Sequence, residues 1–363
     1  MLERQMILKW LNKSLSFSAL ILLGLTATLL ISIPAISQPG DTTLRNLAQE
    51  QNIYIGAAVS IKALRNDPNY REVLTREFNM VTPENVMKFK PIHPERDRYD
   101  FTAANEIVTF AKANQMQIRG HTLVWHRSLP DWLTETEWTR EELIEILRRH
   151  IFTVVSHYRG EIYAWDVINE AVGGKDSLRK TIWQQVIGSD YVELAFRWAH
   201  EADPNALLFY NDYGGEGLGE KSDAIYAFVK DLLEKDVPIH GVGLQMHKSI
   251  KNPPKPEDVA TNIKRLEELG LEVHITEMDV QIHNGTGTEE DRLVKQAKVY
   301  QDMLGVCLKA PNCTAFVTWG FTDKFTWIPG FVGQPDLPLI FDKSYRPKPA
   351  YHTLIEVLST ANN

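Results

Sequence analysis

Along the chain, short runs of apolar and β-branched residues alternate with longer stretches whose apolar positions recur every three or four residues. Eight runs have the character of strands: Ile53–Val59, Phe78–Thr82, Gln117–Val124, Ile162–Asn169, Leu207–Asn211, Gly241–Gln245, Leu271–Thr276 and Ala315–Trp319. Each is nearly continuous in apolar character, as a parallel strand covered on both faces should be. The intervening stretches carry helix signals. Thr139 with Glu142 three positions later forms a capping box, in which hydroxyl and carboxylate each satisfy a free end amide. Behind it Leu143, Ile146, Leu147, Ile151, Val154 and Val155 fall on one helical face. Ala224, Ile225, Phe228, Val229, Leu232 and Leu233 do the same, and Pro256 opens a further helix that stops at Gly270. Another helix runs from about Glu289 through Leu293, Ala297, Tyr300 and Leu304.

Strands alternating with helices imply βαβ units and a parallel sheet, and eight units predict a closed (β/α)8 barrel. The competing open, doubly wound sheet usually places a glycine-rich phosphate loop after its first strand, and none follows Val59. The glycine cluster at 214–219 lacks that spacing and reads as a mobile loop. The pattern continues from Thr42 to Thr360 without a linker or low-complexity tract, so residues 38–363 are expected to form one catalytic-size domain.

The first 37 residues differ from the rest. Arg4, Lys9 and Lys13 precede an uncharged apolar run, and Ala35 and Ser37 provide the small residues that a signal peptidase reads. Residues 1–37 therefore read as a signal peptide cut after Ser37. The alternative is an uncleaved anchor, since the run is long enough to span a bilayer. Either way the rest of the chain is expected outside the cytoplasm, secreted to the extracellular space or periplasm, with no stable membrane association after cleavage. Loss of this segment takes the formal charge from −8 to −10. Such an acidic surface repels phosphate backbones and argues against a nucleic-acid partner, while a neutral polymer is not repelled. In an exported chain Cys307 and Cys313 could close a disulfide around Pro311, the alternative being two separate small hydrophobes.

Active sites of such barrels lie at the C-terminal ends of the strands. The fourth strand ends in Asn169 and Glu170, and the seventh in Glu277 with Asp279 two residues later. Two carboxyl groups facing each other across one cleft can cleave a glycosidic bond, one protonating the leaving oxygen while the other attacks the anomeric carbon. A lone glutamate at a rim is more simply a solvated or ion-paired side chain. Here the other strand ends add Glu84, Asn85, Lys88, His121, Trp125, His126, Asn211, Gln245, His247 and Trp319, with Trp327 beyond. Indole faces and amide or carboxylate groups together suit sugars. Metal binding by His121, His126 and His247 is the weaker alternative, because no acidic or cysteine partners accompany them at ligand spacing.

The segments TPENVMK, GHTLVWH, WDVINEA, FYNDY, GLQMH, ITEMDV and TWGFTDKFTW, in this order, resemble those of glycoside hydrolase family 10, the (β/α)8 xylanases. The resemblance covers nearly all of the chain after residue 37 and implies an endo-β-1,4-xylanase that acts on xylan or xylo-oligosaccharides with retention of configuration. It implies Glu170 as acid/base and Glu277 as nucleophile, their carboxyl groups about 5–5.5 Å apart. It implies Asn169 on the sugar 2-hydroxyl, His247 and Asp279 in support of the nucleophile, and Gln245 near the same carboxylate. Glu84, Asn85 and Lys88 match contacts to the next xylose. His121, Trp125, Trp319 and Trp327 match the walls, the last crowding the space of a glucose hydroxymethyl. No metal or organic cofactor is implied, and a monomer is expected. The rival readings are a barrel β-1,4-glucanase and a non-catalytic carbohydrate-binding barrel. One departure is visible: Arg127 and Ser128 stand where the family commonly carries Ser-Gln or Asn-Gln, which bears on glycone-side binding and not on cleavage.

Overall fold

The computed structural model describes residues 42–174 and 177–361, so the expected signal segment at 1–37 lies outside the described residues. Eight parallel strands close into a barrel: β1 (Tyr54–Val59), β2 (Met80–Pro83), β3 (Gln117–Val124), β4 (Ala164–Asn169), β5 (Leu207–Asp212), β6 (Gly241–Leu244), β7 (Glu272–Gln281) and β8 (Cys313–Thr318). β1 pairs with β2 on one side and with β8 on the other, Ile55 opposite Phe316, which closes the ring. The (β/α)8 expectation is met, with strand boundaries moved by a few residues.

The one large boundary change has a physical cause. β7 continues past Thr276 because a short strand, His247–Ser249, pairs with it and places His247 opposite Asp279. Glu277 and Asp279 therefore lie within a paired strand, not at its frayed end. A second small addition is the antiparallel pair Val172–Gly174 and Ser177–Leu178, immediately after β4.

Helix signals in the sequence act as local chemistry demands. Thr139 caps the helix Arg140–His157 with a reciprocal Glu142 contact, and Thr288 does the same with Asp291 for Glu289–Lys309. Pro256 begins the helix Pro256–Glu267, and Gly270 follows it at φ +77°, a conformation that glycine adopts without a Cβ clash. The helices Leu44–Glu50 and Pro349–Thr360 are joined through Glu77, which accepts from the Leu44 amide at 3.1 Å and the Tyr351 hydroxyl at 3.0 Å. Cys307 and Cys313 form a disulfide that links the Glu289–Lys309 helix to the start of β8.

The barrel interior holds a polar layer beneath the site. Arg119 is fully buried and donates to Asp166 and to His274 Nδ1, at 2.5 Å in the latter case. Burial, with the Arg119 charge, pushes His274 down to about 4 despite the opposing Glu272. The neutral ring accepts at Nδ1 and donates from Nε2 to Thr314 Oγ1 at 2.9 Å. Burial favours protonation of Asp166, but Arg119 and the His121 hydrogen bond outweigh it and hold the carboxyl below its ordinary value. Its other oxygen lies 2.9 Å from His121 Nδ1, so the barrel core sets the orientation of a ring at the cleft floor.

One expectation changes. The glycine-rich loop at 214–219 is pinned, not mobile: Glu216 is buried and accepts from the amides of Gly214 and Met246 at 3.1 and 3.2 Å, and from Lys248 at 2.5 Å. Asn262 donates to the Gly215 and Glu216 carbonyls from below. The single glutamate among the glycines carries the restraint, and two of its partners, Met246 and Lys248, come from chain too distant in sequence to be read. Among the described residues no helix is long and apolar enough to cross a membrane.

Candidate active site

The site is built on the C-terminal ends of β2 to β8. Glu277 sits in β7 with its carboxylate held at both oxygens. Asn211 Nδ2 donates to Oε1 at 2.7 Å, and His247 Nε2 lies 3.1 Å from Oε2. Burial by itself would raise the Glu277 carboxyl, but the His247 hydrogen bond and the charges of His121 and His247 hold it below its ordinary value.

His247 is in turn pinned between carboxylates, its Nδ1 3.0 Å from Asp279 Oδ2. Burial opposes protonation of the ring, yet Asp279 and Glu277 raise it to about 10. At neutral pH His247 is therefore an imidazolium that donates from both nitrogens. Asp279 Oδ2 also accepts from the Trp327 indole at 2.8 Å, and the Trp327 ring stands 5.1 Å from His247. Asp279 is fully buried, so its charge is compensated inside the site.

Glu170 follows β4 in the left-handed region at φ 58°, unusual for a residue with a side chain. Its carboxyl accepts from Gln245 Nε2 at 3.1 Å, and its other oxygen is 4.0 Å from His126 Nε2. The resemblance implied Gln245 near the Glu277 carboxylate; its side chain instead reaches Glu170, and its carbonyl accepts the Glu277 amide of β7 at 3.0 Å. The Asn169 amide bridges the two halves. It lies 2.9 Å from Asn211 Nδ2, 3.3 Å from Gln245 Nε2 and 3.2 Å from the Trp125 indole nitrogen. A continuous path of polar contacts therefore runs from Glu170 through Gln245, Asn169 and Asn211 to Glu277.

The remaining residues form the walls. Lys88 donates to Asn85 Oδ1 at 2.7 Å and lies over the rings of Trp125 and Trp319, 5.1 and 5.9 Å from their centroids. Burial lowers the Lys88 ammonium, against Glu277, Glu84 and Glu170, and burial raises the Glu84 carboxyl. Trp319 stands edge-on to His121 at 5.1 Å. Direct polar contacts thus link Glu170, Gln245, Asn169, Asn211, Glu277, His247, Asp279 and Trp327, while Lys88 is in contact with Asn85, Trp125 and Trp319, and Trp319 with His121. Among the described residues no His, Cys, Asp and Glu grouping is suited to a metal ion, since His121 and His247 are already committed to carboxylates.

Sequence reasoning left Asn211 without a role, although an amide in an otherwise apolar strand was visible. Its Oδ1 accepts from Thr276 Oγ1 at 2.7 Å, which aims Nδ2 at Glu277. Gly243 on the adjacent strand makes room, because a Cβ there would lie 2.2 Å from Asn211 Oδ1.

The model of the family described as Glycosyl hydrolase family 10 matches residues 43–357. Endo-1,4-beta-xylanase B of Thermotoga neapolitana is 47% identical over 339 residues, 92% of this chain and 97% of that protein. The structure of xylanase 10B from Thermotoga petrophila RKU-1 in complex with xylobiose is 47% identical, with a TM-score of 0.86 over 88% of this chain and 98% of that one. Exoglucanase XynX of Acetivibrio thermocellus is 37% identical over 316 residues, 83% of this chain and 28% of that protein.

Proposed function

Because the chain belongs to glycosyl hydrolase family 10, we propose that it hydrolyses internal β-1,4-xylosidic bonds of xylan with retention, using Glu277 as nucleophile and Glu170 as acid/base. The observation that carries this reading is the polar path joining the two carboxyl groups across one cleft, with different environments at its ends. Glu277 is held anionic by an imidazolium and an amide, as an attacking carboxylate must be. Glu170 meets a neutral amide and a ring that burial shifts toward its neutral form, against the pull of Glu170 itself.

In the first step a Glu277 oxygen bonds to the anomeric carbon. The bond to the glycosidic oxygen breaks, and its electron pair takes the Glu170 proton as the leaving chain departs. In the second step Glu170, now a carboxylate, takes a proton from water, whose oxygen bonds to the same carbon and expels Glu277. Two inversions leave the configuration unchanged. Asn169, with its amide fixed from both sides, is placed to hold a sugar hydroxyl between the two carboxyl groups. Lys88, Trp125, Trp319 and Trp327 supply the stacking and polar walls of the neighbouring sugars. Export directed by residues 1–37 accords with a polymeric substrate and with the disulfide.

The test is hydrolysis of xylan and of soluble cellulose by the wild type, Glu277→Gln and Glu170→Ala. Xylan is expected to be cleaved in preference, with a β-anomer released first. Glu277→Gln should be folded and inactive. Glu170→Ala should lose kcat/KM on xylo-oligosaccharides far more than on activated aryl glycosides, which need no proton. An active Glu277→Gln enzyme, or α-anomer release, would refute the assignment.

A further inference from the structure

The left-handed backbone at Glu170 disfavours any side chain, so something must hold the turn that carries it. The restraint comes from the outer side of the barrel wall. Strand alternation sends Asn211 inward to Glu277, and Tyr210 and Asp212 to the opposite face, where the Tyr210 ring packs on Phe228 at 5.0 Å. Tyr210 is fully buried and Asp212 is 1% exposed. The Tyr210 hydroxyl accepts from the Val172 amide at 2.9 Å and donates to Asp212 Oδ2. Lys221, from the first turn of the helix Glu220–Glu234, donates to the Val172 carbonyl and lies 3.1 Å from the same Asp212 oxygen. Asp212 Oδ1 accepts from the Tyr213 amide at 2.9 Å. Val172 is thus gripped at both its amide and its carbonyl, two residues after Glu170. Arg179 grips the turn from the other side, its Nε donating to the Glu170 carbonyl at 3.1 Å and its amide to the Ala171 carbonyl at 2.6 Å.

We propose that Tyr210, Asp212 and Lys221 are positioning residues that clamp the Glu170–Val172 turn and so aim the Glu170 carboxyl at the leaving-group oxygen. This rests on Glu170 being the acid/base. Tyr210 and Asp212 lie on the face of β5 opposite Asn211, and Lys221 reaches them from the helix Glu220–Glu234. A buried carboxylate placed there for stability alone is expensive, and burial raises Asp212 to about 6 even against Lys221 and Tyr210. Its cost is understandable if it orders the hydroxyl and ammonium that hold the turn. A neutral apolar cluster would fill the space but leave the Val172 amide and carbonyl without partners.

The experiment compares kcat/KM on an unactivated xylo-oligosaccharide and on a dinitrophenyl xylobioside for Tyr210→Phe, Asp212→Asn, Lys221→Met and Lys221→Arg. Both ratios report formation of the glycosyl-enzyme, and only the first needs the proton. Tyr210→Phe and Lys221→Met should lose about tenfold or more on the oligosaccharide and stay within about twofold on the aryl substrate. Lys221→Arg should recover most of the loss. Equal losses on both substrates, or none on either, overturn the clamp. Asp212→Asn is the variant most exposed to misfolding. Tyr210→Phe keeps the ring on Phe228 and Lys221 lies toward the surface, so these two decide the matter. Glu170→Ala in the same assay separates the premises. If it lacks leaving-group dependence, the acid assignment fails; if it shows that dependence and the clamp variants do not, the clamp alone fails.

Discussion

Replacing His247 by Gln tests the electrostatic argument for the nucleophile most directly. Gln keeps a neutral donor within reach of Glu277 but removes the positive charge that Asp279 and Glu277 together stabilise. A hydrogen bond to a charged group contributes about 1.5–3 kcal/mol, and a pair with both partners charged lies toward the upper end. Gln still donates to the carboxylate and keeps the lower end, so the deficit is about 1–2 kcal/mol, or about 5- to 30-fold in kcat/KM. Burial is the largest influence on the Glu277 carboxyl and acts upward. With the imidazolium gone, that upward push prevails. The acidic limb of the kcat/KM profile should therefore move to higher pH. A dinitrophenyl xylobioside is the substrate of choice, because its cleavage needs no acid and the limb reports the nucleophile. A loss of activity with an unmoved limb would show that His247 acts only as packing. Stability carries a second signature. An unfolded imidazole titrates near about 6.5 and the folded ring at about 10, so the folded state holds the extra proton between these values. That contribution is fully present below about pH 6.5 and is lost as pH rises through about 10. The gap in denaturant midpoint between wild type and His247→Gln should therefore narrow across that window.

Trp327→Ala should do more than widen the pocket, because the indole also donates to Asp279. Relaxed discrimination between xylan and soluble cellulose should come with a lower kcat on xylan, and unchanged selectivity in a comparison of the two substrates would count against the wall. Gly243→Ala puts a Cβ 2.2 Å from Asn211 Oδ1 and 2.9 Å from Thr276 Cγ2. It should lower kcat/KM by about 10-fold or more through loss of the Asn211 contact to Glu277, and near-normal kinetics would show that the amide is not needed. Serine at both Cys307 and Cys313 opens a loop of sequence separation 6. It should cost about 2 kcal/mol, read as a lower denaturant midpoint without loss of specific activity, and an unchanged midpoint would refute a stabilising bridge.

The order of strands and helices was legible from residue pattern, because burial on both faces writes a continuous apolar run and burial on one face writes a period of 3.6. The caps at Thr139 and the stop at Gly270 were legible for the same reason: their chemistry is local. So were the two glutamates, since a barrel gathers its strand ends at one mouth wherever they stand in the chain. What sequence could not supply was partnership across that mouth. Gln245 turned to Glu170 and not to Glu277, and Glu216 tied down a loop that glycine content marked as mobile. Asn211 became a direct contact to the Glu277 carboxylate. Each of these depends on which side chains meet at about 3 Å after the ring closes. Residue type sets what a group can donate or accept, but only the closed fold decides which partner it finds, and a buried charge then takes the protonation state that the partner allows.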